Sequence, residues 1–110
     1  MADLWRQGLG PCALRALPGH ECEGRVEGHH AITRQALRTR GLAEHQWDRR
    51  NRVPLCDRAH TSHHTASQRV PRELLPPAVF EFADELGLRW LLDRVYPPGF
   101  PSVPRGNLEP

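Results

Sequence analysis

The sequence predicts an α+β fold, a small core of two short extended segments and one helix followed by a C-terminal pair of helices. Three observations predict it. His29-His30 ends one short extended stretch, and Asn51 to Cys56 forms a second. His60, His63 and His64 follow at helical spacing, with His60 and His64 four apart on one face. The last third then switches to apolar residues spaced three and four apart between prolines.

Taken in order, residues 1–10 read as a flexible leader, in which a short helix from Asp3 is stopped by Gly8 and Gly10. The core is expected over 11–70. Its first part holds turn residues around Cys12, Pro18, Gly19, Cys22 and Gly24, then Arg25-Val26-Glu27 leads into His29-His30-Ala31-Ile32 as an extended arm. Thr33 suits the N-cap of a short helix over Arg34 to Arg38, stopped by Gly41. Residues 42–50 read as a polar loop anchored by Trp47. Pro54 restricts the second extended piece to an edge strand, because it lacks a backbone donor. Asp57 stands at an N-cap position for a helix running to about Gln68.

Residues 71–98 read as a helical segment packing on the core, and 99–110 as a tail. Val79, Phe82, Ala83 and Leu86 share a helical face, Gly87 suits a C-terminal stop, and Leu88, Leu91, Leu92 and Val95 face inward on the next helix. Phe80, Phe82, Trp90 and Tyr96 are assigned to the core.

Bulk properties bound the function. The chain has 110 residues, enough for one domain. It is 38% hydrophobic, so its core is small and a metal is a natural extra tie. No apolar run reaches the roughly 18 residues a membrane span needs. The first ten residues lack the apolar stretch of a secretory signal, so a cytoplasmic location is expected. Net charge is +2, and all 15 basic residues are arginine. Arginine's planar fork suits phosphate, but an arginine bias also follows from GC-rich coding. Arg49, Arg50 and Arg52 flank Asn51, either as phosphate contacts or as a solvated loop. Three cysteines, an odd number, argue for reduced thiols and against a closed disulfide framework.

The order of His pair, Asn51, His60 and His64 resembles the His-Asn-His (HNH, ββα-metal or His-Me finger) endonucleases, above all small phage-encoded members and the DNase colicins. The resemblance covers roughly residues 11–70. It implies that His30 is the general base, that His29, His60 and His64 ligate a divalent metal, and that Asn51 holds the loop and orients His30. Glu27 falls where the DNase colicins carry a glutamate, and Glu27, Arg50 and Arg52 are candidate substrate contacts. The implied activity is hydrolysis of DNA, or of RNA, to 5′-phosphate and 3′-hydroxyl ends with magnesium, manganese, nickel or zinc, in a phage-infected or bacterial host cell. The chemistry suits these residues. A neutral imidazole can take a proton from water, and a dication held by neutral imidazoles keeps its charge for the phosphate. Adjacent strand residues point to opposite faces, so one histidine of the pair can ligate metal while the other faces substrate.

Cys56-Asp57-Arg58-Ala59-His60 departs from family members with a structural zinc, where a Cys-x-x-Cys-His run is usual. Ala59 rules out a four-cysteine site. Cys12, Cys22 and Cys56 then either bind zinc with a histidine such as His20, or pack as small core residues. His20 and His45 otherwise read as surface or core residues, and His63 as facing solvent beside the site or assisting it. Two rival functions stay in view. One is a non-catalytic, zinc-stabilised nucleic-acid-binding module, and the other is a phage packaging accessory acting beside a terminase.

Overall fold

Val53 and Leu55 alternate with Pro54 and need a cover on their buried face. They obtain it in β2 (Val53–Cys56), which pairs antiparallel with β1 (Val26–His29). The register sets Val26 against Cys56 and His29 against Val53. Pro54 sits opposite Gly28, and its carbonyl accepts the Ala13 N–H at 2.7 Å on the outer side, where a third strand would bond. A computed structural model describes residues 2–65 and 69–98 of the chain. Within them the architecture is α+β, a two-stranded sheet with five α-helices around one apolar cluster.

β2 runs directly into α3 (Asp57–His64). The N-cap is Cys56, not Asp57. Cys56 keeps the extended backbone a cap requires, and its sulfur accepts the Ala59 N–H at 3.4 Å. Asp57 is the first helical residue, and its carboxylate accepts the Arg25 N–H. The helix closes at His64, and the expected extension to Gln68 lies outside the described residues.

Residues 2–10, expected as a loose leader, are bound to the core. After α1 (Ala2–Trp5), Trp5 is 3% exposed and packs edge-on to Trp47. Arg52 donates to the carbonyls of Trp5, Gln7 and Gly8, and Arg49 donates to that of Gln7. Gly28 makes room for this docking, since a Cβ there would stand 2.7 Å from the Trp5 ring. Gly28→Ala is therefore expected to displace Trp5 and to cost about 1–3 kcal/mol, as overpacking does. A lower melting temperature with red-shifted tryptophan emission is the expected readout. Unchanged values would mean that Trp5 is not seated there.

Thr33 caps α2 (Arg34–Arg38) as expected, accepting the Ala36 N–H at 3.1 Å. A 3-10 turn at Ala43–His45 interrupts the loop that follows. At the other end, α4 (Pro77–Glu85) and α5 (Arg89–Val95) meet at Gly87, whose φ is +70°. The Leu88 N–H bonds the Ala83 carbonyl and the Gly87 N–H bonds that of Asp84, the paired closure typical of a glycine helix end. Val79, Phe82, Ala83, Leu88, Leu92 and Tyr96 are buried. Two expectations fail here. Val95 is 43% exposed and Trp90 is 50% exposed. The inward stripe follows Leu88, Leu92 and Tyr96 at four-residue spacing. This turns Trp90 outward, between the guanidinium groups of Arg40 and Arg94.

Arg50 docks α4 onto the loop before β2. It bridges Asp48 at 2.9 Å, Glu81 at 3.3 Å and Glu85 at 3.0 Å, and lies over the Phe82 ring. Arg50 and Arg52, proposed from sequence as substrate contacts, are thus both engaged inside the protein. Among the described residues, no helix is long and apolar enough to cross a membrane.

Candidate metal centre

β1 ends in His29, and α3 presents His60 and His64 one turn apart. The His29 ring lies 5.3 Å from that of His60 and 5.6 Å from that of His64. One nitrogen from each of the three falls within 4.8 Å of the others. His60 Nε2 and His64 Nε2 are 3.0 Å apart. Two imidazole nitrogens on a tetrahedral ion would be separated by roughly 3.3 Å, so the donors fit a shared cation.

Their protonation fits as well. Burial pushes His29 down from 6.5 to about 3, and the neighbouring histidines add to it. Burial also lowers His60, followed by the effect of His64, while Glu27 and Asp57 pull the other way. Both imidazoles are neutral at pH 7, the form that ligates metal.

His63, read from sequence as facing solvent, is 5% exposed. Its Nδ1 accepts the Val70 N–H at 3.1 Å and its ring stacks on Tyr96, so it braces the chain after α3 against α5. Burial holds it down to about 4. With no metal on the His29 set, the protein is therefore expected to lose stability as pH falls from 6.5 towards 4. In that window the unfolded chain takes protons on His29, His30 and His63 that the folded chain refuses. Above 6.5 both states are neutral at these sites and the dependence vanishes. Melting temperatures between about pH 7 and about pH 5 check this, and a flat profile would contradict it.

His30 leaves the strand towards the other side. Its ring stacks on Trp5 at 4.2 Å and 15°, and meets Trp47 edge-on at 5.2 Å. Its Nε2 is buried without a hydrogen-bond partner. The Gln46 backbone bonds the ring, and with Nε2 unpartnered that bond falls on Nδ1. Burial lowers His30 to about 4 against that bond, and the charges of Arg34 and Arg6 assist. The result is a neutral imidazole with its Nε2 lone pair uncommitted.

Asn51 is 0% exposed. Its Oδ1 accepts the Ile32 N–H at 2.8 Å and its Nδ2 donates to the Ile32 carbonyl at 3.0 Å. It thus ties the turn after the histidine pair to the entrance of β2. Its side chain bonds the Ile32 main chain and not the His30 ring. The ring is held by Trp5, Trp47 and Gln46, and Asn51 acts through the main chain. Glu27 is exposed and close enough to favour the protonated form of His60.

A second donor set lies at the β2–α3 junction. Cys12, His20, Cys22 and Cys56 each place one donor atom within 4.8 Å of the others. His20 Nε2 lies 3.5 Å from Cys22 Sγ and 3.6 Å from Cys56 Sγ. Backbone N–H groups of Leu14 and Ala59 point at the sulfurs of Cys12 and Cys56. Burial alone would raise Cys56, but backbone bonds from Glu23 and Ala59, with His20, bring it down to about 6. Cys22 is pushed up to about 11 by desolvation and by the thiols of Cys12 and Cys56. One thiolate thus forms readily and a further one is resisted, so a dication would neutralise the set. These four residues, like the His29 set, can hold a metal ion. His20 is the histidine that the sequence offers as a partner of the three cysteines, the alternative being a surface or core residue. The signal available was the tight His20-x-Cys22 spacing.

No protein-family model matches the chain, and no curated protein or solved structure matches it.

Proposed function

We propose that the protein is a metal-dependent endonuclease that hydrolyses DNA phosphodiester bonds to 5′-phosphate and 3′-hydroxyl ends. The observation that carries this reading is the divergence of two adjacent histidines. His29 joins His60 and His64 as a donor set, while His30 keeps a neutral ring with an unpartnered Nε2. A divalent ion on the first set, magnesium, manganese, nickel or zinc, would supply Lewis-acid stabilisation of the phosphate and of the departing 3′ oxygen. His30 Nε2 accepts the proton of the attacking water, and the Gln46 backbone steadies the imidazolium through Nδ1. Asn51 is a positioning residue, holding the turn that carries both histidines.

Cys12, His20, Cys22 and Cys56 supply the four donors that a tetrahedral structural zinc takes. That set also favours a second reading, a zinc-stabilised nucleic-acid-binding module without catalysis. A plasmid assay separates the two. Protein freed of loosely held metal and shown to be folded is supplied with Mg²⁺, Mn²⁺, Ni²⁺ or Zn²⁺ singly. Nicking or linearisation restored by one of these ions is the expected result. Intact plasmid with every ion would leave the binding module.

A further inference from the structure

Beside His30 a cleft of about 360 Å³ opens between α1, β1, the start of α2 and the loop at Trp47. Its lining includes Arg6, Arg25 and Arg34 against a single carboxylate, Glu27. The charged lining of the cleft is therefore predominantly positive.

Arg6 and Arg34 are not held in close ion pairs as several other arginines are. Arg50, Arg58, Arg72 and Arg89 each meet a carboxylate at 2.7–3.3 Å. Arg49 and Arg52 donate to main-chain carbonyls. Among the described residues, the one carboxylate paired with Arg6 is Asp3, at 3.9 Å, and its side chain is 95% exposed. Arg34 uses Nε on the Gln46 amide oxygen at 2.9 Å, which leaves its terminal nitrogens directed to no carboxylate among the described residues. Gln46 is itself fixed by a bond to the Ala43 carbonyl.

Both guanidinium groups lie over one ring. Arg6 is 5.9 Å and Arg34 5.3 Å from the Trp47 centroid. The indole thus lies within cation–π reach of both guanidinium groups. Trp5 Nε1 and His30 Nε2, on two further lining residues, are buried polar atoms without partners. Forked cations preset around such a cleft match the oxygens of a phosphodiester.

We infer that this cleft seats the phosphodiester backbone of a nucleic-acid strand, with Arg6, Arg25 and Arg34 as its phosphate contacts. The inference rests on the nuclease reading in that His30 borders the same cleft, but its test is binding, not cutting.

The test is fluorescence anisotropy of a labelled DNA duplex and of a single-stranded RNA of equal length. The protein is used as purified, without added metal, and a gel verifies that the probe stays intact. Arg6→Gln/Arg34→Gln is compared with Arg15→Gln/Arg94→Gln, which removes the same charge outside the cleft. The cleft variant is expected to bind roughly tenfold or more weakly and to flatten the slope of log affinity against log salt by about two on duplex DNA. The outer pair should change affinity by less than about threefold. A loss on both probes marks the shared backbone as the ligand, and a loss on one names the strand type. Should the double variant melt early, Arg25→Gln, at an exposed position, is expected to weaken binding with its melting temperature unchanged. Equal weakening by both double variants, an unaffected cleft variant, or wild-type protein that binds neither probe would overturn the inference. Cleft-dependent binding with no cutting by any ion would instead refute the nuclease reading alone.

Discussion

Exchange of His30 for alanine is expected to lower metal-restored plasmid cleavage by about 10²- to 10⁴-fold, the usual contribution of a positioned general base. Metal affinity should remain within a few-fold of wild type, because the donor set consists of His29, His60 and His64. The ring also packs on Trp5 and Trp47, so some stability is lost with it, and melting curves accompany the rates. Added imidazole provides the sharper test. The vacated space between Trp5 and Trp47 should admit it and recover part of the rate, whereas a merely structural defect would not respond. His60→Ala should behave differently, losing metal affinity and activity together with no rescue by imidazole. A His30→Ala protein that cuts at the wild-type rate would remove His30 from the chemistry.

Loss of the Cys12, His20, Cys22 and Cys56 site is expected to unfold the domain. These side chains tie residues 12–22, a stretch of turns without helix or strand, to the β2–α3 junction. Structural zinc in small domains binds with about 10–16 kcal/mol. Total domain stability is about 5–15 kcal/mol. A strong chelator, or Cys56→Ser, should therefore abolish the cooperative melt or lower its midpoint by well over 10 °C, roughly what a loss of 2 kcal/mol or more produces at this size. One zinc equivalent per chain should disappear with it. The His29 set behaves differently, since its removal should stop cutting and leave the melt in place. An unchanged melt in chelator would mean that the cysteines are packing residues only.

Much of this arrangement was legible locally. Thr33 at its cap, Gly87 at its helix end and the buried stripe of α4 follow from short-range hydrogen bonding and a period of 3.6 residues. So does the shared face of His60 and His64, four residues apart. The alternation of a strand sends His29 and His30 to different neighbours. Asn51 was legible as a loop holder, though its partner, the Ile32 backbone, was not.

Other residues had no local signature. Arg50, Arg52 and Arg34 are the same residue type in polar surroundings. Only the fold sends the first to Glu81 and Glu85, the second to the carbonyls of residues 5–8, and leaves the third over Trp47. Trp5 gives no sign in sequence that Gly28 leaves it a seat. His20 acquires its meaning from Cys56, thirty-six residues away. The sequence by itself determined the elements, the donor pair on α3 and the divergence of the histidines, because each is set by backbone geometry within a few residues. Tertiary structure alone decided which cations are consumed internally and which line the cleft, because those outcomes depend on which distant groups the packed chain brings within hydrogen-bonding reach.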